Sequence, residues 1–117
     1  MKTSPVARRY AKALLELAVE AKQVPKIQKD LQEVAGAWDA SDELRSIFEN
    51  PSITGDMQRK VVEGLAQRMM LSPMTKNTLL LMSDNRRLPE IAATSHAFAT
   101  RFTTAAFATV FSSSARP

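Results

Sequence analysis

Cysteine is absent from the 117-residue chain. That excludes disulfides and thiolate metal sites, and it fits a reducing compartment. There is one histidine, His96, and a lone imidazole cannot assemble a metal site without thiolates to help. The three glycines, Gly36, Gly55 and Gly64, stand apart, so no glycine-rich phosphate loop is present. No Ser-His-Asp order is evident. No run of eighteen apolar residues occurs, so no segment reads as a membrane-spanning helix. Glu16 and Glu20 interrupt the apolar stretch behind Lys2, which a signal peptide would not tolerate. These absences imply no catalytic residue, no cofactor, no metal and no direct membrane insertion.

What is present is ordinary globular material. Apolar residues make up 44% and charged residues 24%, and the length suits one domain. The net charge of +4 is uneven: Arg101 and Arg116 lie in an acid-free stretch after Ala93. The body before them is nearly balanced, which argues against a nucleic-acid surface.

Helix punctuation is regular. Ser4-Pro5 places an N-cap before a proline at the first helical position, where the missing N–H costs nothing. Pro25 opens a second segment, and Ser41 caps a third with Asp42 and Glu43 in its first turn. Asn50-Pro51 stops that segment. Thr54, Ser72-Pro73 and Pro89-Glu90 open three more. The apolar pattern follows a helical period. Val24, Ile27, Leu31, Val34 and Trp38 fall within an arc of about 80°. Met57, Val61, Leu65 and Met69 step by four, and Val6, Tyr10, Leu14, Leu17 and Ala21 form another stripe. The expectation is an all-α, compact six-helix bundle over residues 1–93. Residues 94–117 read as the end of helix six followed by an atypical, weakly ordered tail.

The first and fifth helices carry more apolar surface than an amphipathic helix needs. In the first, Ala7, Ala11 and Ala18 flank the stripe, with Leu15 beyond. In the fifth, Leu79, Leu80, Leu81 and Met82 are consecutive and point nearly all round the axis. Two readings fit. Either both helices are central and bury several faces, or they border a groove for an amphipathic partner helix. Small alanines would allow a partner backbone close, and Met82 would adapt its shape. On the groove reading, Ala11→Glu would block docking by placing a charge in an apolar trough. Arg8, Arg9 and Lys12, with Arg86-Arg87, form small basic groups. They support an alternative reading as an all-α RNA-binding module similar to antitermination factors, but no aromatic residue is interleaved to stack bases.

Val6 to Ala18, reading VARRYAKALLELA, resembles the first helix of the F-type ATP synthase delta subunit family, the oligomycin-sensitivity-conferral proteins of mitochondria. Asn50-Pro51-Ser52-Ile53 with Lys60 and Val61 resembles that family's junction between its third and fourth helices. Asn77, Leu79 to Met82, Asn85 to Leu88 and Ile91 resemble its fifth helix and the turn that follows. The resemblance implies a stator component on the cytoplasmic face of a bacterial inner membrane, peripheral through the F1 sector. It implies that helices one and five hold the N-terminal helix of an α subunit. Carried over by position, the contacts are Ala7, Tyr10, Ala11, Leu14 and Ala18 on helix one, and Leu79, Leu80 and Met82 on helix five. The family's second domain, which binds the b-subunit stalk, is missing from this reading. Truncation, a shifted frame near Thr94 and a real variant each fit the tail.

Overall fold

The computed structural model describes residues 4–101, and among them there is no strand. The elements are α1 (Pro5–Glu20), α2 (Val24–Ala40), α3 (Asp42–Glu49), α4 (Gly55–Arg68) and α5 (Pro73–Asp84). A 3-10 turn (Leu88–Glu90) then leads into α6, helical over 91–101. The six-helix, all-α expectation holds.

Four helices begin where the capping residues predict. The hydroxyls of Ser4, Ser41, Thr54 and Ser72 accept from the amides of Ala7, Leu44, Met57 and Thr75, each satisfying a first-turn donor that has no intrahelical partner. α2 starts without a side-chain cap, with Pro25 in its first turn. α3 adds Asp42 and Glu43 at its positive end.

The helices stop by one recurring device. Lys22, Met70 and Arg86 adopt left-handed φ of 59°, 53° and 58° just past α1, α4 and α5. The next amides, of Gln23, Leu71 and Arg87, donate back to Ala18, Ala66 and Met82 at 2.9, 2.9 and 2.7 Å. These are Schellman motifs, in which the left-handed position normally falls to glycine. Here it is filled three times by a residue with a side chain.

The core gathers Ala11, Leu14 and Ala18 from α1, Ile27, Leu31, Val34 and Trp38 from α2, Val62 from α4, and Leu79 and Met82 from α5. The Trp38 ring meets Phe48 of α3 with centroids 6.0 Å apart, a tilted contact of the kind that aromatic pairs prefer. The α2 stripe is therefore as the period predicts. The α4 stripe is not. Gln58, Val62 and Ala66 face inward, while Met57 is exposed and Val61, Leu65 and Met69 are half-buried. The inward face is one residue further on, because Gln58 is not stranded there: its Nε2 donates to the Ile47 carbonyl at 3.0 Å.

A buried carboxylate ties α2 to the start of α5. Asp30 is fully buried. Its Oδ2 accepts from the Ser72 amide and the Thr75 hydroxyl, both at 2.9 Å, and its Oδ1 from Lys26 Nζ at 2.7 Å. Lys26 also donates to the Met70 carbonyl, so one ion pair fastens the α4–α5 turn to α2.

The core continues past Ala93, since Thr94, Ser95, Ala97 and Phe98 are buried and His96 is exposed. The sequence boundary at 93 thus passes through α6, and Phe98 anchors that helix. The expectation of weak order beyond Arg101 lies outside the described residues.

Candidate docking groove

α1 is apolar on two faces, and the neighbouring helices choose between them. Ala7, Ala11, Leu14 and Ala18 are buried within the chain, the last three in its hydrophobic core. This corrects the expectation that Ala7, Ala11, Leu14 and Ala18 line a surface groove. Alanine's small side chain lets helix axes approach, and within this chain it is α2 and α5 that use the space. The same holds for α5, whose Leu79 and Met82 are buried rather than presented to a partner. Of the carried-over positions, Tyr10 and Leu80 remain half-exposed.

A groove between α1 and α5 is nevertheless present, one register round. On α1, Val6 and Tyr10 are half-buried and Ala13 and Leu17 exposed, Leu17 by 51%. Their spacing of four, three and four places them on one helical face. On α5, Leu81 is 52% exposed and shares a face with half-buried Met74 and Thr78. Val6, Tyr10 and Ala13 meet Leu81 and Asn85 around a concavity of about 530 Å³, with Arg9 and Arg87 on its rim. Asn85 Nδ2 donates to the Tyr10 hydroxyl at 3.0 Å. That bond fixes the aromatic ring and sets the N-terminal half of α1 beside the C-terminal end of α5. Leu17 and Leu81 were not singled out as contacts from sequence. The nearest signal was the Val6, Tyr10, Leu14, Leu17 and Ala21 stripe, which includes Leu17 but takes Leu14 where the open face has Ala13.

Elsewhere the polar surface is structural. Arg86 reaches the Ile53 carbonyl at 3.4 Å from both terminal nitrogens, joining the α5–α6 turn to the loop before α4. Arg59 of α4 pairs with Asp84 of α5, and the carboxylate raises the guanidinium pKa further above its ordinary value. Among the described residues no group of His, Cys, Asp and Glu could hold a metal, and no helix is long and apolar enough to cross a membrane.

A family model described as "ATP synthase delta (OSCP) subunit" matches residues 6–113. The chain belongs to that family. It is 38% identical over 97 residues to the ATP synthase subunit delta of Trichlorobacter lovleyi, covering 80% of this chain and 54% of that one. It is 44% identical over 86 residues to the same subunit of Solidesulfovibrio magneticus, covering 72% and 47%. A chain in the cryo-EM structure of the Toxoplasma gondii mitochondrial ATP synthase hexamer superposes with a TM-score of 0.74 at 32% identity, covering 81% of this chain and 53% of that one. This chain therefore spans about half the length of the relatives it matches. The family match also runs past Ala93, through residues that the sequence reading set apart.

Proposed function

We propose that this chain is a non-catalytic stator component of an F-type ATP synthase, peripheral to the membrane. It holds the amphipathic N-terminal helix of an α subunit in the groove between α1 and α5. The observation that carries the reading is the row Val6, Tyr10, Ala13 and Leu17, half-exposed at its start and exposed at its end, with Leu81 across a concavity from its first three residues. A row of this length, open to water on a folded bundle of this family, is the surface that helix-in-groove recognition uses. The joint needs no chemistry. Rotation loads a stator with torque, and tight apolar packing between helices resists it. The b-subunit contact expected of the family is not assigned to residues 4–101. The RNA-binding alternative is disfavoured by family membership, and of the basic residues it relied on, Arg86 is committed to the Ile53 carbonyl.

The test is titration of the isotopically labelled chain with a peptide from the α-subunit N-terminus. Amide shifts should gather at Val6, Tyr10, Ala13, Leu17 and Leu81, with heat measured in parallel by calorimetry. Absence of both heat and shifts overturns the reading.

A further inference from the structure

We infer that charges along the rim of the groove fix which way round the partner helix lies, with its acidic end at Arg9 and Arg87 and its basic end at Glu16 and Glu20. The inference rests on the docking reading above and adds a direction to it. At 100° per residue, Arg9, Glu16 and Glu20 fall within an arc of about 40° directly beside the Val6–Tyr10–Ala13–Leu17 stripe. All three are exposed. Lys12 and Arg8 fall outside that arc. Along this face, which extends one to two turns beyond the lining residues Val6, Arg9, Tyr10 and Ala13, α1 thus runs from a cation at its N-terminal end to two carboxylates at its C-terminal end.

α5 strengthens the basic end. Arg87 follows its last turn and borders the same concavity as Arg9. The nearby carboxylates are already engaged: Asp84 pairs with Arg59, and Glu90 accepts from the Ser4 hydroxyl at 2.7 Å. Among the described residues, Arg9, Arg87, Glu16 and Glu20 form no ion pair with one another or with a third residue. Backbone fields do not compete, because the positive end of the α1 dipole and the negative end of the α5 dipole meet beside Tyr10 and Asn85 and oppose each other. From Arg9 to Glu20 is eleven residues, about 17 Å of helix, which exceeds the screening length of about 8 Å at physiological salt. Each end is therefore read separately. A partner helix with mixed charges would gain nothing from either orientation, whereas one with segregated charges would be held in a single register.

The probe is a synthetic amphipathic helix of roughly twenty residues, long enough to span the stripe. It carries a leucine row, glutamates in one half and lysines in the other, and a nitroxide at either end. Four rim charges, each weak alone, should together favour one orientation by roughly tenfold at low salt. A nitroxide at the glutamate end should then broaden the amides of Val6 and Asn85, and one at the lysine end those of Leu17 and Glu20. In the variant R9E/R87E/E16K/E20K, altered only at exposed positions, the pattern should reverse. Broadening with no preference, or a pattern unchanged by the reversal, overturns the inference. So does failure of the probe to bind, and the α-subunit peptide then shows whether docking itself survives.

Discussion

The two apolar faces of α1 each present four residues at helical spacing and have opposite fates. One face, Ala7, Ala11, Leu14 and Ala18, is closed off by the chain itself. The other, Val6, Tyr10, Ala13 and Leu17, is open or half-open. The difference is not hydrophobicity, since the open face carries the larger side chains. It is size at the point of closest approach. Alanine lets the axes of α1 and its neighbours draw together, and that puts the small face inside and leaves the bulky one to line a groove. Small residues beside a groove are thus what shapes its floor, and large ones are what a partner would touch.

The comparison breaks most visibly at Ala11. Its side chain has no exposure, so Ala11→Glu forces an unpaired carboxylate into packed core. The cost should be on the order of 5 kcal/mol or more, comparable to the whole stability of a small domain. Circular dichroism in urea should find the variant largely unfolded. A folded Ala11→Glu that merely loses the α peptide would restore the sequence expectation that Ala11 lines the groove.

Second in size is the polar counterpart of that face. Asp30 holds the Ser72 amide, the Thr75 hydroxyl and Lys26 in one buried knot. Asp30→Ala strands an amide and a hydroxyl and frees a lysine, and removing one partner of such a pair costs about 3–5 kcal/mol. The urea midpoint should fall with the slope unchanged. Thr75→Val removes one of the three contacts and should cost less, about 1–2 kcal/mol. If the two variants lose the same stability, the three contacts stand or fall together and are not separable.

On the open face the expectation inverts. Leu17 and Leu81 are about half exposed, so Leu17→Glu and Leu81→Glu should each leave stability within about 0.5 kcal/mol. Each should weaken binding of the α-subunit peptide at least tenfold, about 1.4 kcal/mol, because the charge is desolvated only in the complex. Calorimetry on the two variants, beside their melting curves, separates the faces. A variant that binds normally removes its residue from the groove.

The same contrast explains what could be read from the residues alone. Helix starts were legible because capping is local: Ser4, Ser41, Thr54 and Ser72 need only their own first turn. The α2 face was legible because that helix has a single apolar stripe. On α1, α4 and α5 the stripe was ambiguous, and the tie was broken by partners distant in sequence. Gln58 turned inward because Ile47 offered a carbonyl, and Leu81 turned outward because Leu79 and Met82 took the inner positions. A concavity does lie between α1 and α5, yet of the residues expected to line it only Tyr10 and Leu80 stayed at the surface. Periodicity counts apolar positions and does not say which of two faces a neighbour will cover.

The smallest expected effect concerns helix ends and has the opposite sign. Met70 sits at φ 53° and is 78% exposed as a residue, so it contributes little packing to offset a left-handed conformation. That conformation costs an L-residue about 1–2 kcal/mol, and glycine escapes it. Glycine in turn loses about 0.5–1 kcal/mol to the greater freedom of the unfolded chain. Met70→Gly should therefore stabilise the fold by about 0.5–1 kcal/mol, with the Met70 carbonyl still accepting from Lys26 because that bond is to the backbone. Arg86→Gly relieves the same strain but forfeits both contacts to the Ile53 carbonyl, so its gain should be smaller or nil. Urea unfolding of the two variants side by side measures the difference. An equal gain at both positions would mean that the Arg86 bridge contributes nothing, and a loss at Met70 would mean that its exposed side chain has a contact that outweighs the strain.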